Sequence, residues 1–365
     1  MLSDAEIAAA ARRRSGAASV AVVRRAPFAR PAGGSGAVFE HVTQEQDGVR
    51  REAVLKQIAP DAHGPTLERR FYEELAPSLP LRVPALYASG PLPGRGDGWI
   101  LLEALPEAPP TRVTPARLLA LAADLARAHA ALLGAAPEWL PRPFGRDARA
   151  SLAHVEEGTA RLRERMRRRP ALRFLASEAA LGAALRLARD PGPIVRACAG
   201  AETLIHRDLH HHNVSLGDPA GAIVFDWEAV SAGPPLFDLA LLHVYHRNEA
   251  LSLPALGARV FTWRRPALSW RALERHYLAC FAAAAPGADL AALERAAPAA
   301  FAWEAVHRIG WVDALLGGLA PGAAWLARIP LAGWVEGERV GAVMLRVWRA
   351  LFTALPVHAA ALERA

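Results

Sequence analysis

The sequence predicts an α+β chain in two lobes, a small antiparallel β lobe over residues 1–104 and a larger, mainly helical lobe over 105–365. Three observations carry this. The first hundred residues hold five short apolar runs separated by Gly, Pro and charged turns, at the spacing of strands. From Arg117 onward, Ala, Leu and Arg recur at helical spacing. Between the two, LPEAPPTRVTP (105–115) gathers prolines as a connector does.

After a short Ala-rich helix, ASVAVVRRA (18–26) reads as the first strand. ARPAGGSGAVFEHV (29–42) gives a turn at Gly33, Gly34, Ser35 and Gly36 that runs into a second strand. REAVLKQI (51–58) is a third strand, with Lys56 near its end, and TLERRFYEEL (66–75) has amphipathic helical spacing. VPALYASG (83–90) and GWILLEAL (98–105) close the lobe as two more strands. In the second lobe, helices are expected over 116–134, 148–168, 171–189 and most of 235–365. Among them, ETLIHRDLHHHNVSL and GAIVFDWEAV carry short β-like runs flanking polar loops, as a small hairpin set into a helical domain would.

Composition narrows the function classes. With 365 residues, 52% hydrophobic and 22% charged, the chain can bury a core in each lobe. Ala/Leu-rich stretches are broken by Arg, Asp or His every few residues, so no membrane-spanning run is expected. The start, MLSDAEIAAAARRRSG, lacks a cationic segment before its apolar run and does not read as a signal peptide. Two cysteines, Cys198 and Cys280, exclude a disulfide framework and fit a reducing, cytoplasmic location. The net charge of +7 raises the question of nucleic acid, and RLRERMRRRP (161–170) is the most basic stretch. Without interleaved aromatics, or a zinc-finger or RNP-like pattern, it reads as a solvated helix face, and nucleic acid is not the expected partner. Eight of the ten tryptophans fall between Trp227 and Trp348, at spacings that suit a helical core.

Two rare residues are more informative. The forty-three basic residues include a single lysine, Lys56. In an arginine-rich chain, a surviving lysine marks a place where a compact ammonium on a slim stem is needed and a planar guanidinium will not serve. Asparagine is nearly as scarce, with only Asn213 and Asn248, and the first lies in LIHRDLHHHNVSL (204–216).

That stretch holds four of the thirteen histidines. As a zinc tract it is poor, because consecutive side chains point apart and no cysteine or glutamate joins His206 and His210. The other reading takes His206, Asp208 and Asn213 as an H-x-D-x4-N loop of phosphoryl transfer. Asp208 would orient the acceptor hydroxyl and take its proton, and Asn213 would hold Mg²⁺ on the nucleotide phosphates. Asp226, after the apolar run AIVF, would be the second metal ligand. Lys56 would pair with the α/β-phosphates, its ammonium fixed by Glu68 on the next helix, with Glu73 and Glu74 as rivals for that role.

With GGSG after the first strand, VLK, ERRFYEELAPSLPLRVPALY, LLEAL, HRDLHHHN, VFDWE and GPPLFDLALL, the chain resembles the aminoglycoside phosphotransferase and choline kinase-like family, small-molecule relatives of the protein kinases. Motifs carry the likeness over about residues 18–245, and general helical character carries the rest. The resemblance implies a bilobal protein-kinase-like fold and a small-molecule kinase that moves the γ-phosphate of ATP or GTP, with Mg²⁺, to a hydroxyl. It places the nucleotide base against the hinge backbone from Glu103 to Leu105, and it makes Asp238 a brace beneath the catalytic loop. The acceptor it implies is a small molecule, either an antibiotic such as an aminoglycoside or a sugar or amino-alcohol metabolite. The alternative is a kinase-like module that binds nucleotide without turnover.

The departures matter too. Arg207 makes the loop read HRD and is expected to face solvent or a neighbouring acid. Only eleven residues separate Asp226 from Asp238, no A-P-E follows and Trp227–Glu228 replace Phe-Gly, so a protein substrate is not expected. His211 and His212 replace smaller residues of that loop and read as local packing.

Overall fold

The computed structural model describes residues 2–27, 37–57, 65–92, 98–105, 114–210, 213–215, 221–249, 268–318 and 336–364. The turn at Gly33, Gly34, Ser35 and Gly36 lies outside the described residues, as do His211 and His212. The chain divides into two compact units, Met1–Arg112 with His212–Val230, and Val113–His211 with Ser231–Ala365.

The first unit is built on an antiparallel sheet in the order β1-β2-β3-β5-β4, formed by Val20–Pro27, Val38–Gln46, Val49–Gln57, Leu86–Pro91 and Gly98–Glu103 as β1 to β5. The β2–β3 turn is Asp47-Gly48, both at positive φ, the pair whose backbone matches the twist of a two-residue hairpin. Helix α1 (Asp4–Ser15) starts on a Ser3–Glu6 capping box and ends on Gly16 in the left-handed region. It covers one face of the sheet: Ile7, Ala10 and Ala11 pack with Val42, Ala53, Leu55, Ala88 and Leu101. Strand side chains alternate between faces, so Lys56, next to Leu55, points to the opposite face. There α2 (Pro65–Arg70) follows, continued by a π-helical turn over Phe71–Leu75. The short pair β7 (Val214–Ser215) and β8 (Ile223–Val224) completes this unit.

The second unit is helical. Its helices are α3 (Pro115–Ala131), α4 (Ala148–Ser151), α5 (Val155–Arg168), α6 (Glu178–Arg189), α7 (Gly192–Cys198), α8 (Leu236–Glu249), α9 (Trp270–Ala284), α10 (Leu290–Gly318) and α11 (Glu336–Arg364). The long helix α10 packs against α5, α7, α8 and α11. The helix expected over 148–168 is split at Leu152, and the one over 171–189 begins as a 3-10 turn at Pro170, with Ser177 capping α6. Acids answer the basic stretch along α5: Arg167 and Arg168 meet Glu164, and Arg163 meets Glu178. Strand β6 (Thr203–Ile205) pairs with β9 (Ser231–Gly233). The expected hairpin is therefore two nested pairs, the outer one in the helical unit and the inner one, β7–β8, in the sheet unit. Among the described residues, no helix is long and apolar enough to cross a membrane.

Candidate active site

In the first unit, three carboxylates converge on the lone lysine. Lys56 Nζ lies 2.7 Å from Glu68 Oε2, 2.7 Å from Asp226 Oδ1 and 3.0 Å from Glu228 Oε2. Lys56 and Glu68 are buried, whereas the side chains of Asp226 and Glu228 keep 37% and 36% of their surface exposed. One end of the cluster is thus sealed and the other opens to solvent. The rivals for Glu68 are engaged elsewhere: Glu73 accepts a hydrogen bond from Ser89 Oγ, and Glu74 pairs with Arg70.

The local geometry follows from the turn after β8. Asp226 adopts φ 65°, ψ 60°, a left-handed conformation that aspartate tolerates better than most residues. Trp227 then turns inward, donates Nε1–H to the Val224 carbonyl and stacks on Phe71 at 4.0 Å between ring centres. Because Phe71 follows Glu68 by one turn, the stack fixes the segment carrying Asp226 and Glu228 against the segment carrying Glu68. Asn213 is buried just before β7, and its carbonyl accepts the N–H of Phe225, the residue before Asp226.

Burial opposes the charge on Lys56, but Glu68, Asp226 and Glu228 outweigh it and hold the ammonium protonated, its pKa raised. Burial also pushes the Glu68 carboxyl up, against the pull of Lys56. The three carboxylates offer oxygens all within 4.8 Å of one another, a hard donor set that suits Mg²⁺ or Ca²⁺. His206 does not join such a set. Its Nδ1 accepts the backbone N–H of Asp208. At the end of β5, the N–H groups of Glu103 and Ala104 bond to the carbonyls of Ala85 and Glu52, and Leu105 follows, half-buried.

In the second unit, Asp238 braces the loop after β6. Its fully buried carboxylate accepts the backbone N–H of His206 at 2.7 Å and of Arg207 at 2.8 Å, and lies 3.4 Å from His129 Nε2. His129 in turn pairs with the Tyr277 hydroxyl, and Thr203 donates to the His129 carbonyl. These bonds hold Arg207 at φ 70°. At Gly233 on β9 a Cβ would sit 2.7 Å from the Ile205 side chain and from the Phe144 ring.

Asp208, next along, is held at both oxygens. Oδ1 lies 3.0 Å from Arg308 Nη2 and Oδ2 3.6 Å from His210 Nε2. Burial works to raise its pKa, but His210 and Arg308 outweigh it, and the carboxyl is held well below the usual range. Arg308 also pairs through Nε with Glu304, one turn earlier on α10. Arg207 is half-buried rather than open to solvent, its guanidinium 4.9 Å from the centre of the Trp303 ring, and burial lowers it to about 10, still charged at neutral pH.

Lys56, Glu68, Asn213 and Asp226 therefore gather in one unit, while Asp208 and Asp238 stand in the other. Two residues went unread in the sequence. Glu228 had a signal, the second acid of VFDWE; Arg308, a hundred positions from Asp208, had none.

The profile of the phosphotransferase enzyme family matches residues 29–273. Among solved structures, the choline kinase of Cryptosporidium parvum Iowa II aligns with a TM-score of 0.51 at 9% identity, over 90% of this chain and 89% of that one. An aminoglycoside phosphotransferase from Alicyclobacillus acidocaldarius aligns at 0.42 with 15% identity over 94% and 93% of the two chains. A choline kinase from Streptococcus pneumoniae aligns at 0.45 with 13% identity over 88% and 94%. No curated protein matches by sequence. With the antiparallel sheet and the helical unit, the first of these likenesses shows the fold: α+β, of the protein-kinase-like type.

Proposed function

Because the chain belongs to the phosphotransferase enzyme family, we propose that it moves the γ-phosphate of a magnesium nucleotide, ATP or GTP, to a hydroxyl of a small molecule. The observation that carries this reading is the Lys56 ammonium, anchored on a sealed Glu68 and flanked by two half-exposed carboxylates. A lysine held only for structure needs one partner. Here two further acids reach the same ammonium from the solvent side, a spare negative charge suited to a divalent cation and its phosphates.

In this reading Lys56 binds the α/β-phosphates, and Asp226, Asn213 and Glu228 would hold Mg²⁺, which would supply charge neutralisation at the phosphates. The base lies against the backbone at Glu103–Leu105. Gly33, Gly34, Ser35 and Gly36, outside the described residues, are assigned to nucleotide binding from the sequence. Asp208 orients the acceptor hydroxyl for in-line attack and takes its proton as the new P–O bond forms and the bond to the β-phosphate breaks, releasing ADP or GDP. Asp238 fixes the height of that carboxylate through the amides of His206 and Arg207. Most of the rate enhancement then comes from positioning and electrostatics.

The test is phosphate transfer from ATP and from GTP, with Mg²⁺, to a library of hydroxyl compounds read by mass shift. A phosphorylated acceptor supports the reading. Saturable nucleotide binding with neither transfer nor hydrolysis would instead favour a nucleotide-binding module without turnover.

A further inference from the structure

The reaction outlined above gives Arg308 no part, yet its Nη2 lies 3.0 Å from Asp208 Oδ1. Asp208 is faced from several sides. Its own loop contributes Arg207 and His210, α8 contributes Tyr245, whose ring centre is 5.0 Å from that of His210, and α10 contributes Glu304, His307 and Arg308. From below, Asp238 bonds two backbone amides and His129. Among the described side chains beside Asp208, the charges of Asp208 and Glu304 are matched by those of Arg207 and Arg308, while the Asp238 carboxylate is taken up beneath the loop by two backbone amides and His129. Among the described residues, an acceptor bearing an ammonium beside its reacting hydroxyl would meet acids already paired with arginines, and the Arg308 guanidinium itself. An acceptor bearing a carboxylate or phosphate finds the reverse. Arg308 bonds Glu304 through Nε and Asp208 through Nη2, and a guanidinium carries five N–H donors, so its fork can take a further anion beside the carboxylate that orients the hydroxyl.

We infer that Arg308 selects the acceptor: the hydroxyl compound carries an anionic group, carboxylate or phosphate, that docks on Arg308 while its hydroxyl meets Asp208. The inference rests on Asp208 being the acceptor-orienting residue. It also separates the candidate acceptor classes, setting the site against polycationic antibiotics and amino alcohols and in favour of sugar acids and related hydroxy acids.

Two matched trios supply the probes: gluconate, glucitol and glucamine, and glycerate, glycerol and 3-amino-1,2-propanediol. Within each trio the hydroxyl chain is kept and only the terminal group changes charge. Wild-type kcat/KM for transfer from Mg-ATP should favour the acid over the uncharged compound by at least about tenfold, the scale of one charged hydrogen bond, and over the amine by more. If no probe is turned over, the same compounds are read as inhibitors of basal Mg-ATP hydrolysis, where the acids should again be the stronger. Arg308→Gln, made together with Glu304→Gln so that no buried carboxylate is orphaned, should bring the acid-to-neutral ratio close to one; Arg308→Lys should retain part of it. Equal or better use of the amines, a ratio unchanged in the Gln variant, or no response to any acid overturns the assignment. Asp208→Asn separates the two levels. If it hydrolyses Mg-ATP as fast as wild type, the reading of Asp208 itself fails; if it is inactive while glucamine outperforms gluconate, only the role of Arg308 fails.

Discussion

Lys56 Nζ and Glu68 Oε2 stand 2.7 Å apart, with side chains only 5% and 1% exposed. A buried pair of this kind contributes little net stability, since desolvation offsets most of the attraction, but removing one partner leaves an orphaned charge. Its value here lies in fixing a point charge next to Asp226 and Glu228.

Lys56→Arg tests that point charge. A planar fork cannot occupy one point among three carboxylates, so the variant should fold and lose at least ~10²-fold in phosphoryl transfer, as loss of a preorganised charge predicts. Circular dichroism and a transfer assay measure the two halves. An ATP-shaped acyl phosphate should also label Lys56 in the wild-type protein, with excess Mg-nucleotide protecting it. Full activity in Lys56→Arg, with labelling indifferent to nucleotide, contradicts the phosphate site.

Asp208→Asn keeps the shape of the side chain but removes the proton acceptor. Turnover should drop by at least ~10²-fold, the lower range for a general base, with nucleotide affinity little changed. Near-normal turnover would move the catalytic role to another residue.

Chelation should abolish activity without unfolding the protein, and Mg²⁺ should restore it. Asp226→Asn and Glu228→Gln should each raise the Mg²⁺ concentration needed for half-maximal activity; asparagine is the choice at 226 because it also tolerates the left-handed backbone. Stoichiometric zinc, released only on unfolding, would return the histidine tract to consideration as a metal site.

Asp238→Asn exchanges one of two acceptor oxygens for an amide group facing a backbone N–H. The loss of a charged hydrogen bond should lower stability by about 1.5–3 kcal/mol in urea unfolding, with a parallel loss of turnover. A neutral effect on both would show that the loop does not depend on its brace.

His307 gives a pH signature. Burial, followed by the nearby positive charges of Arg207 and Arg308, holds its pKa well below the usual 6.5. Below about pH 6.5 the unfolded chain therefore binds a proton that the folded chain does not, and stability falls as pH drops, by up to about 1.4 kcal/mol per unit from this residue. His307→Asn should flatten the pH dependence of the urea midpoint between about pH 5 and 6.5. An unchanged slope would assign the acid sensitivity to other groups.

Much of the first unit was legible because its signals are local: short strand runs, and a lone lysine near the end of the third, one residue past Leu55. Glu68 is preferred over Glu73 and Glu74 on the resemblance to the family's helix, in which the acid precedes a Phe-Tyr pair, and here Phe71 of that pair stacks on Trp227. Glu228 was missed because only the left-handed turn at Asp226 brings positions i and i+2 to one ammonium, and no periodicity announces that turn. Arg308 was beyond reach for a different reason. Its neighbours along α10 say helix and core, and its partner Asp208 is fixed only by how the second unit packs.

The sheet unit is written in two instalments, and this sets a timetable for its assembly. Asp226 and Glu228 lie 170 and 172 positions after Lys56, and His212–Val230 join a unit whose other residues end at Arg112. On the ribosome, the sheet and its lysine emerge long before two of the three carboxylates that will surround them. Until then Glu68 is the one of the three carboxylates present, and β7, β8 and the Trp227 side of the aromatic stack do not yet exist. The sheet half must therefore wait, incomplete, while the first helices of the other half are synthesised. A fragment cut at Arg112 carries the lysine, but not the surroundings that give it a purpose.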